Sequence, residues 1–247
     1  HSMDGILGHE SSVDIAALHV DGGGVSDIVF AVMHLLGLSF EPRIPRLSDR
    51  KLYAFEPKTR YGRLEPLFGH RLDAGLIRAH WDDAQRVIQA MRDRVVTPSL
   101  ILKKLSAYRQ QNSLAAALRE IGRIERTLFT LRWFEDPELR RLVTAELNKG
   151  EARNSLARAV AFHRLGRFRD RGHENQSTRA SALNLVTAAI ILFNCRYLGR
   201  VIDAMRHSGM AFDEGLLPQL SPLGWDNINF TGDYVWSDSL AVDADGF

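Results

Sequence analysis

One short segment constrains the fold of this chain more than any other. Residues 12–21 carry a strand-like run in which Val13, Ile15, Leu18 and Val20 partly alternate, and it ends on Asp21 before Gly22-Gly23-Gly24. Val25 to Leu36 then has the apolar density of a helix, with Ser26 or Gly24 as cap and Gly37 as stop. Leu38 to Ile44 offers a second short strand, confined by Pro42 and Pro45 to an edge or a very short piece. Incomplete alternation predicts that the first strand is buried on both faces.

After these two strands the sequence turns helical. Residues 46–79, rich in Arg, Pro and Gly, are the least regular stretch. From Trp81 onward Ala84, Val87, Ile88, Met91 and Val95 keep helical spacing, and Thr97-Pro98 opens a further helix. Ser113 is the expected cap of a long one whose Leu114, Leu118, Ile121, Ile124, Leu128 and Leu131 form an apolar stripe. Asp136-Pro137 starts another. Gly150 is expected to interrupt the chain before a helix over about 151–165, and a last helix is expected over about 177–207. Two strands against seven or eight helices predict a mainly α chain. A two-stranded sheet is marginal alone, so an α/β core here is partial.

With 247 residues, 45% of them hydrophobic, the chain can bury a substantial core without a staple. The single cysteine, Cys195, excludes an internal disulfide and a Cys-x-x-Cys zinc site and fits a reducing cytoplasm. It reads as inert packing. The longest apolar stretch, Leu183 to Cys195, is interrupted by Asn184, Thr187 and Asn194, and so reads as a buried helix rather than a membrane span. His1-Ser2-Met3 reads as an expression remnant outside the fold.

Charge is unevenly spread. Residues 1–41 contain six acids and residues 225–247 five, with no Lys or Arg in either, so a net charge of +2 leaves +13 on the stretch between. Residues 149–171 alone hold seven basic side chains. A basic middle suits a polyanion such as nucleic acid, and equally a solvated arginine-rich surface.

Two positions could carry chemistry. Asp21 lies where a strand meets a glycine run, the crevice in which α/β folds place ligands; a carboxylate there can hold a metal or simply begin a turn. Glu151, read as opening a helix, shares a face with Asn154, Ser155 and Arg158, a polar stripe suited to metal and phosphate; a carboxylate in a first turn also suits the helix dipole alone. Glu174, in His173-Glu174-Asn175-Gln176, competes with it, or caps the next helix. As a nucleotide-binding phosphate loop the glycine run lacks the Lys-Ser/Thr that should follow.

The segment Val20 to Phe30 (VDGGGVSDIVF) resembles the second-aspartate motif of the transposases of the Tn-three type of replicative transposon. So do Leu35-Leu36-Gly37 with Pro42-Arg43-Ile44, Tyr108 to Asn112, Leu118 to Thr127 (LREIGRIERT), Leu147 to Val160 (LNKGEARNSLARAV), Glu174 to Leu185 (ENQSTRASALNL) and Leu220 to Trp236 (LSPLGWDNINFTGDYVW). The resemblance is collinear over nearly the whole chain. It departs at Gly22, where the family more often has Thr.

The resemblance implies a DDE enzyme with a ribonuclease-H-like core holding two divalent ions, Mg²⁺ or Mn²⁺. It would cleave DNA 3′ ends and transfer strands in a bacterial cytoplasm, on double-stranded DNA and as a homodimer, with no membrane partner. Asp21 maps to the second acid and Glu151 to the glutamate, with Glu174 as the alternative. Lys149, Arg153, Arg158 and Arg164 would hold DNA phosphates. The first acid would lie upstream of Asp4, so the chain would be the C-terminal piece of a larger transposase, inactive alone. The expected organisation is a mainly α chain with only the second half of the ribonuclease-H-like α/β core. Residues 4–45 would be the core segment, 46–148 a large all-helical insertion, and 149–247 the glutamate helix, later helices and an irregular tail. The competing reading is a non-catalytic helical DNA-binding or assembly module.

Overall fold

The computed structural model describes residues 2–9, 12–23, 25–107, 112–161 and 172–232. The chain divides into two compact units, His1–Leu147 and Asn148–Phe247.

In the first unit, helix α1 spans Ser2–Gly8, strand β1 Ala17–Val20, helix α2 Asp27–Leu36 and strand β2 Ser39–Pro42. The strands pair in parallel, Ala17 opposite Ser39 and Val20 opposite Pro42. Parallel strands need a crossover, and α2 supplies it. Ser26 caps α2 by accepting from Val29 N, and Gly37 ends it in the left-handed region at φ 82°. Helix α2 is buried at Ile28, Phe30, Ala31, Val32, Met33 and Leu35, nearly all round. β1 is shorter than expected and only half-buried at all four residues. With a single partner strand, it lacks the two-sided cover of an inner strand.

Residues 46–73 fold through two 3₁₀ helices, Leu47–Asp49 and Lys58–Leu67, and an isolated bridge between Leu52 and Phe68. Helices α3 (Ala74–Ala79), α4 (Trp81–Arg92), α5 (Pro98–Ala107) and α6 (Ser113–Glu135) follow. The cap of α6 is Asn112, which accepts from Ala115 N, and Ser113 is its first helical residue. Leu118, Ile121, Phe129 and Trp133 of α6 are buried, whereas Leu128 and Leu131 are exposed. The expected stripe steps by about 3.4 residues rather than 3.6, so it winds off the buried face. Helix α6 lies along α2, and Phe30 packs edge-on to Phe40 at 4.9 Å and near Phe129 at 5.9 Å. Each such buried ring stabilises by about 1.5–3 kcal/mol. Met3 is buried in this same core.

Helix α7 runs unbroken over Pro137–Val160, and the boundary between the units falls within it. Gly150 therefore does not interrupt it: the glycine is exposed, with nothing within 4 Å of where a Cβ would sit, and one helical glycine costs only about 1 kcal/mol. In the second unit, helix α8 spans His173–His207 and a 3₁₀ turn spans Glu214–Gln219. α8 is not the buried helix the sequence suggested. Leu185, Leu192 and Tyr197 are 68%, 54% and 53% exposed, and Cys195 is exposed rather than packed. By length and composition, Glu174–His207 could cross a membrane, with mean hydropathy 1.5 in its most apolar window. Its buried Asn194 donates to Pro222 O and Gly224 O, at 2.8 and 2.7 Å, and accepts from Asn227, so residues 222–227 dock on it through polar bonds.

Candidate functional site

Asp21 follows the last residue of β1, at the carboxyl end of the parallel pair. The turn is built by its neighbours. Gly23 N donates to Asp21 O at 2.6 Å, and Arg43 N donates to Val20 O at 2.8 Å, tying the exit of β2 to the exit of β1. Gly22 sits at φ +63°, where a Cβ would meet Pro45 Cγ and Cδ at 3.2 and 3.3 Å. A side chain here is strained both by φ and by Pro45, which gives the glycine after Asp21 a backbone reason. The Asp21 carboxylate is 67% exposed, and Arg43 Nη1 lies 3.7 Å from it.

Behind the turn lies a polar clamp that sequence reasoning missed. Asp27, in the first turn of α2, pairs with Arg126 and, at 3.2 Å, with Arg123 Nε, both from α6. The three side chains are only 14–20% exposed. They pair by charge more than by aligned hydrogen bonds, since Asp27 Oδ1 and both Nε atoms lack a well-formed one. Both guanidinium groups lie 5.2 Å from the Tyr53 ring centroid. Buried Glu120 accepts from Arg123 and, at 3.1 Å, from Asp73 N, and Thr127 accepts from Tyr53 N at 3.0 Å. Gly122 lets α6 approach so closely that a Cβ there would overlap the Asp27 carbonyl. The block LREIGRIERT thus supplies Glu120, Gly122, Arg123, Arg126 and Thr127 to one interface. A glycine inside an apolar helix was the available signal of close approach.

The other predicted residues lie in the second unit. Glu151 is mid-helix in α7, fifteen positions into Pro137–Val160, so a helix N-terminus does not explain it. Glu174 is in the first turn of α8 and not in a loop; it is no cap, because Gly172 occupies the cap position without a side-chain bond. Both carboxylates are exposed, and neither has a hydrogen-bond or ion-pair partner among the described residues. Arg158 donates to Ser155 Oγ at 2.9 Å, on the stripe expected for Glu151. Arg153 donates to Asn184 Oδ1 of α8 at 2.9 Å, so one arm of it is already engaged. Lys149 is exposed on α7. Arg164 lies outside the described residues.

An exposed carboxylate at a fixed turn is a hard oxygen donor of the kind Mg²⁺ takes. Among the described residues no three His, Cys, Asp or Glu side chains gather as an ion would need. Asp21 could therefore contribute a ligand, but the described residues do not make a complete metal site.

Residues 1–234 match the family model described as Tn3 transposase DDE domain. The chain belongs to this family. It is 53% identical over 245 residues to the transposase for transposon Tn21 of Escherichia coli, covering 99% of this chain and 25% of that protein. It is 54% identical to the transposase for transposon Tn501 of Pseudomonas aeruginosa, covering 98% of this chain and 24% of the relative. The transposase for transposon gamma-delta of Escherichia coli K12 is 29% identical over 95% of the chain. The chain thus spans about a quarter of the length of the relatives it matches. Within the Tn3 DDE domain the Asp21 turn, the Arg43 contact and the α6 clamp are one connected arrangement.

Proposed function

We propose that this chain is the C-terminal catalytic portion of a DNA transposase, whose complete form cleaves transposon 3′ ends and joins them to target DNA. The observation that carries this reading is Asp21: a solvent-open carboxylate on a glycine turn, at the carboxyl end of a parallel β–α–β unit, in a chain of the DDE family. The parallel pair crossed by α2 supports reading this segment as part of a ribonuclease-H-like core.

In the complete protein Asp21 supplies one hard oxygen ligand, and Glu151, or Glu174 in its place, supplies another. Bound Mg²⁺ or Mn²⁺ would stabilise the entering and leaving oxygens of an in-line phosphodiester displacement. The protein's own part is to hold those carboxylates at fixed positions, and the β1–β2 tie and the α6 clamp support such a role at Asp21. Lys149, Arg153, Arg158 and Arg164 contact DNA phosphates, which positions the duplex without reading its sequence. The expected partners are double-stranded DNA and a second copy of the transposase; the expected setting is the bacterial cytoplasm. A second reading applies to the chain alone. In that reading the chain by itself is a helical DNA-binding or assembly module without cleavage.

The test is made in the complete transposase. Asp21→Asn keeps side-chain size and removes the charge a metal needs, so it should retain DNA binding and lose both cleavage and strand transfer. Near-normal transposition by that variant overturns the assignment. Glu151→Gln should do the same while Glu174→Gln leaves chemistry intact; the reverse pattern, in folded protein, moves the second ligand to Glu174.

A further inference from the structure

The geometry points to a DNA-phosphate subsite formed by Arg43, beside Asp21, and Arg50, which lines the same hollow as Arg43. It rests on the reading of Asp21 as a residue that meets phosphodiester. Arg43 holds its guanidinium 3.7 Å from the Asp21 carboxylate while both stay more than half exposed. An exposed ion pair of this kind contributes little to stability, so folding does not account for the contact. The backbone under it is fixed by the Arg43 N to Val20 O bond and by Pro45 against Gly22. Next to it a hollow is lined by Val25, Pro42, Arg43, Ile44, Arg50 and Arg126. Arg126 is spent on Asp27. Arg50 is half-buried and has no hydrogen-bond or ion-pair partner among the described residues.

Two arginines at the rim of one hollow, one unpartnered and one held only by an exposed acid, offer guanidinium groups to a phosphate at the surface; the hollow itself is too small to admit one. The guanidinium fork matches phosphate oxygens, and Asp21 keeps Arg43 in place until the polyanion arrives. When DNA binds, Arg43 exchanges Asp21 for a backbone phosphate, which also frees the carboxylate.

The experiment titrates a short, blunt, fluorescein-labelled DNA duplex with this chain and its variants over a range of salt, reading anisotropy. Arg43→Ala and Arg50→Ala should each reduce the slope of log affinity against log salt by about 1, with unchanged circular dichroism. Arg43→Lys should keep the slope. Asp21→Asn should bind more tightly, because it releases Arg43, and that gain should vanish in the Arg43→Ala background. Unchanged slopes in both alanine variants overturn the subsite. So does an Asp21→Asn gain that persists without Arg43, which would mean the acid only repels DNA, and so does a lack of binding by the unsubstituted chain at low salt. The cycle reads charge and not catalysis, so an active Asp21→Asn transposase would sink the functional reading while these titrations still decide the subsite.

Discussion

The two units treat their carboxylates differently. In His1–Leu147, Asp21 is exposed, but the backbone around it is set by strand pairing, by Gly22 against Pro45, and by α2 clamped to α6. In Asn148–Phe247, Glu151 and Glu174 sit on long helices whose buried anchors among the described residues of this unit are Leu156 on α7 and Thr187 and Asn194 on α8. The contrast teaches where a ligand position can be read from a chain. Where close-packed backbone dictates the turn, one acid stands out. Where a helix presents polar residues to solvent, several acids remain equivalent until more of the site is present.

The largest effect should come from breaking the clamp. Asp27→Ala leaves Arg126 partly buried without its anion and Arg123 with Glu120 alone, and should cost about 3 kcal/mol, the low end for such pairs because some exposure remains. Urea unfolding of the chain checks it, and a loss within a few tenths of a kcal/mol would show that the clamp is only an alignment of surface charges.

The two helical glycines sharpen the comparison. Gly122→Ala must push α6 away from the Asp27 carbonyl and should destabilise by about 1–3 kcal/mol. Gly150→Ala meets nothing within 4 Å and should stabilise by about 0.5–1 kcal/mol, because α7 is continuous there. Equal signs for the two would erase the difference in packing between the regions.

Much of this was legible in the sequence. The strand ending at Asp21, the Ser26 cap, the Gly37 stop and the short proline-limited β2 follow from local rules that tertiary packing did not override. What escaped notice was long-range. Nothing local says that Asp27 meets residues nearly a hundred positions later, or that Arg43 returns beside Asp21. Gly150 misled because glycine propensity is weak against more than twenty residues of helix. The α8 apolar run misled because composition reports that a face is apolar and not whether it is covered. Of the candidate site, the sequence pointed to Asp21, and the structure places it on an exposed turn at the carboxyl end of β1. The choice between Glu151 and Glu174 was argued from helix position, and both lie in helices.

The smallest expected effect concerns the periphery of the first unit. Hydrogen bonds from Ser99 hold the Asp4 carboxyl below its ordinary value of 3.8 and fasten α1 to the first turn of α5, with Ser99 N at 2.9 Å. A depressed carboxyl contributes stability that is present above its ordinary value and lost as pH falls through the lowered one. Asp4→Asn should therefore lose a little stability at neutral pH, leave the acid end unchanged, and so flatten the acid limb of the stability–pH curve, as thermal melts across pH would record. An unaltered acid limb would remove Asp4 from the account.

The central claim, that Asp21 is a metal ligand of the DNA-cutting site, is tested most directly by exchanging its oxygen for sulfur. Thiolate is a poor ligand for Mg²⁺ and a better one for softer divalent ions. In the complete transposase, Asp21→Cys should bind transposon ends, fail to cleave them in Mg²⁺, and recover cleavage when Mn²⁺ is supplied, while Asp21→Asn stays inactive in both. Cleavage by Asp21→Cys in Mg²⁺ at the unsubstituted level would contradict the claim.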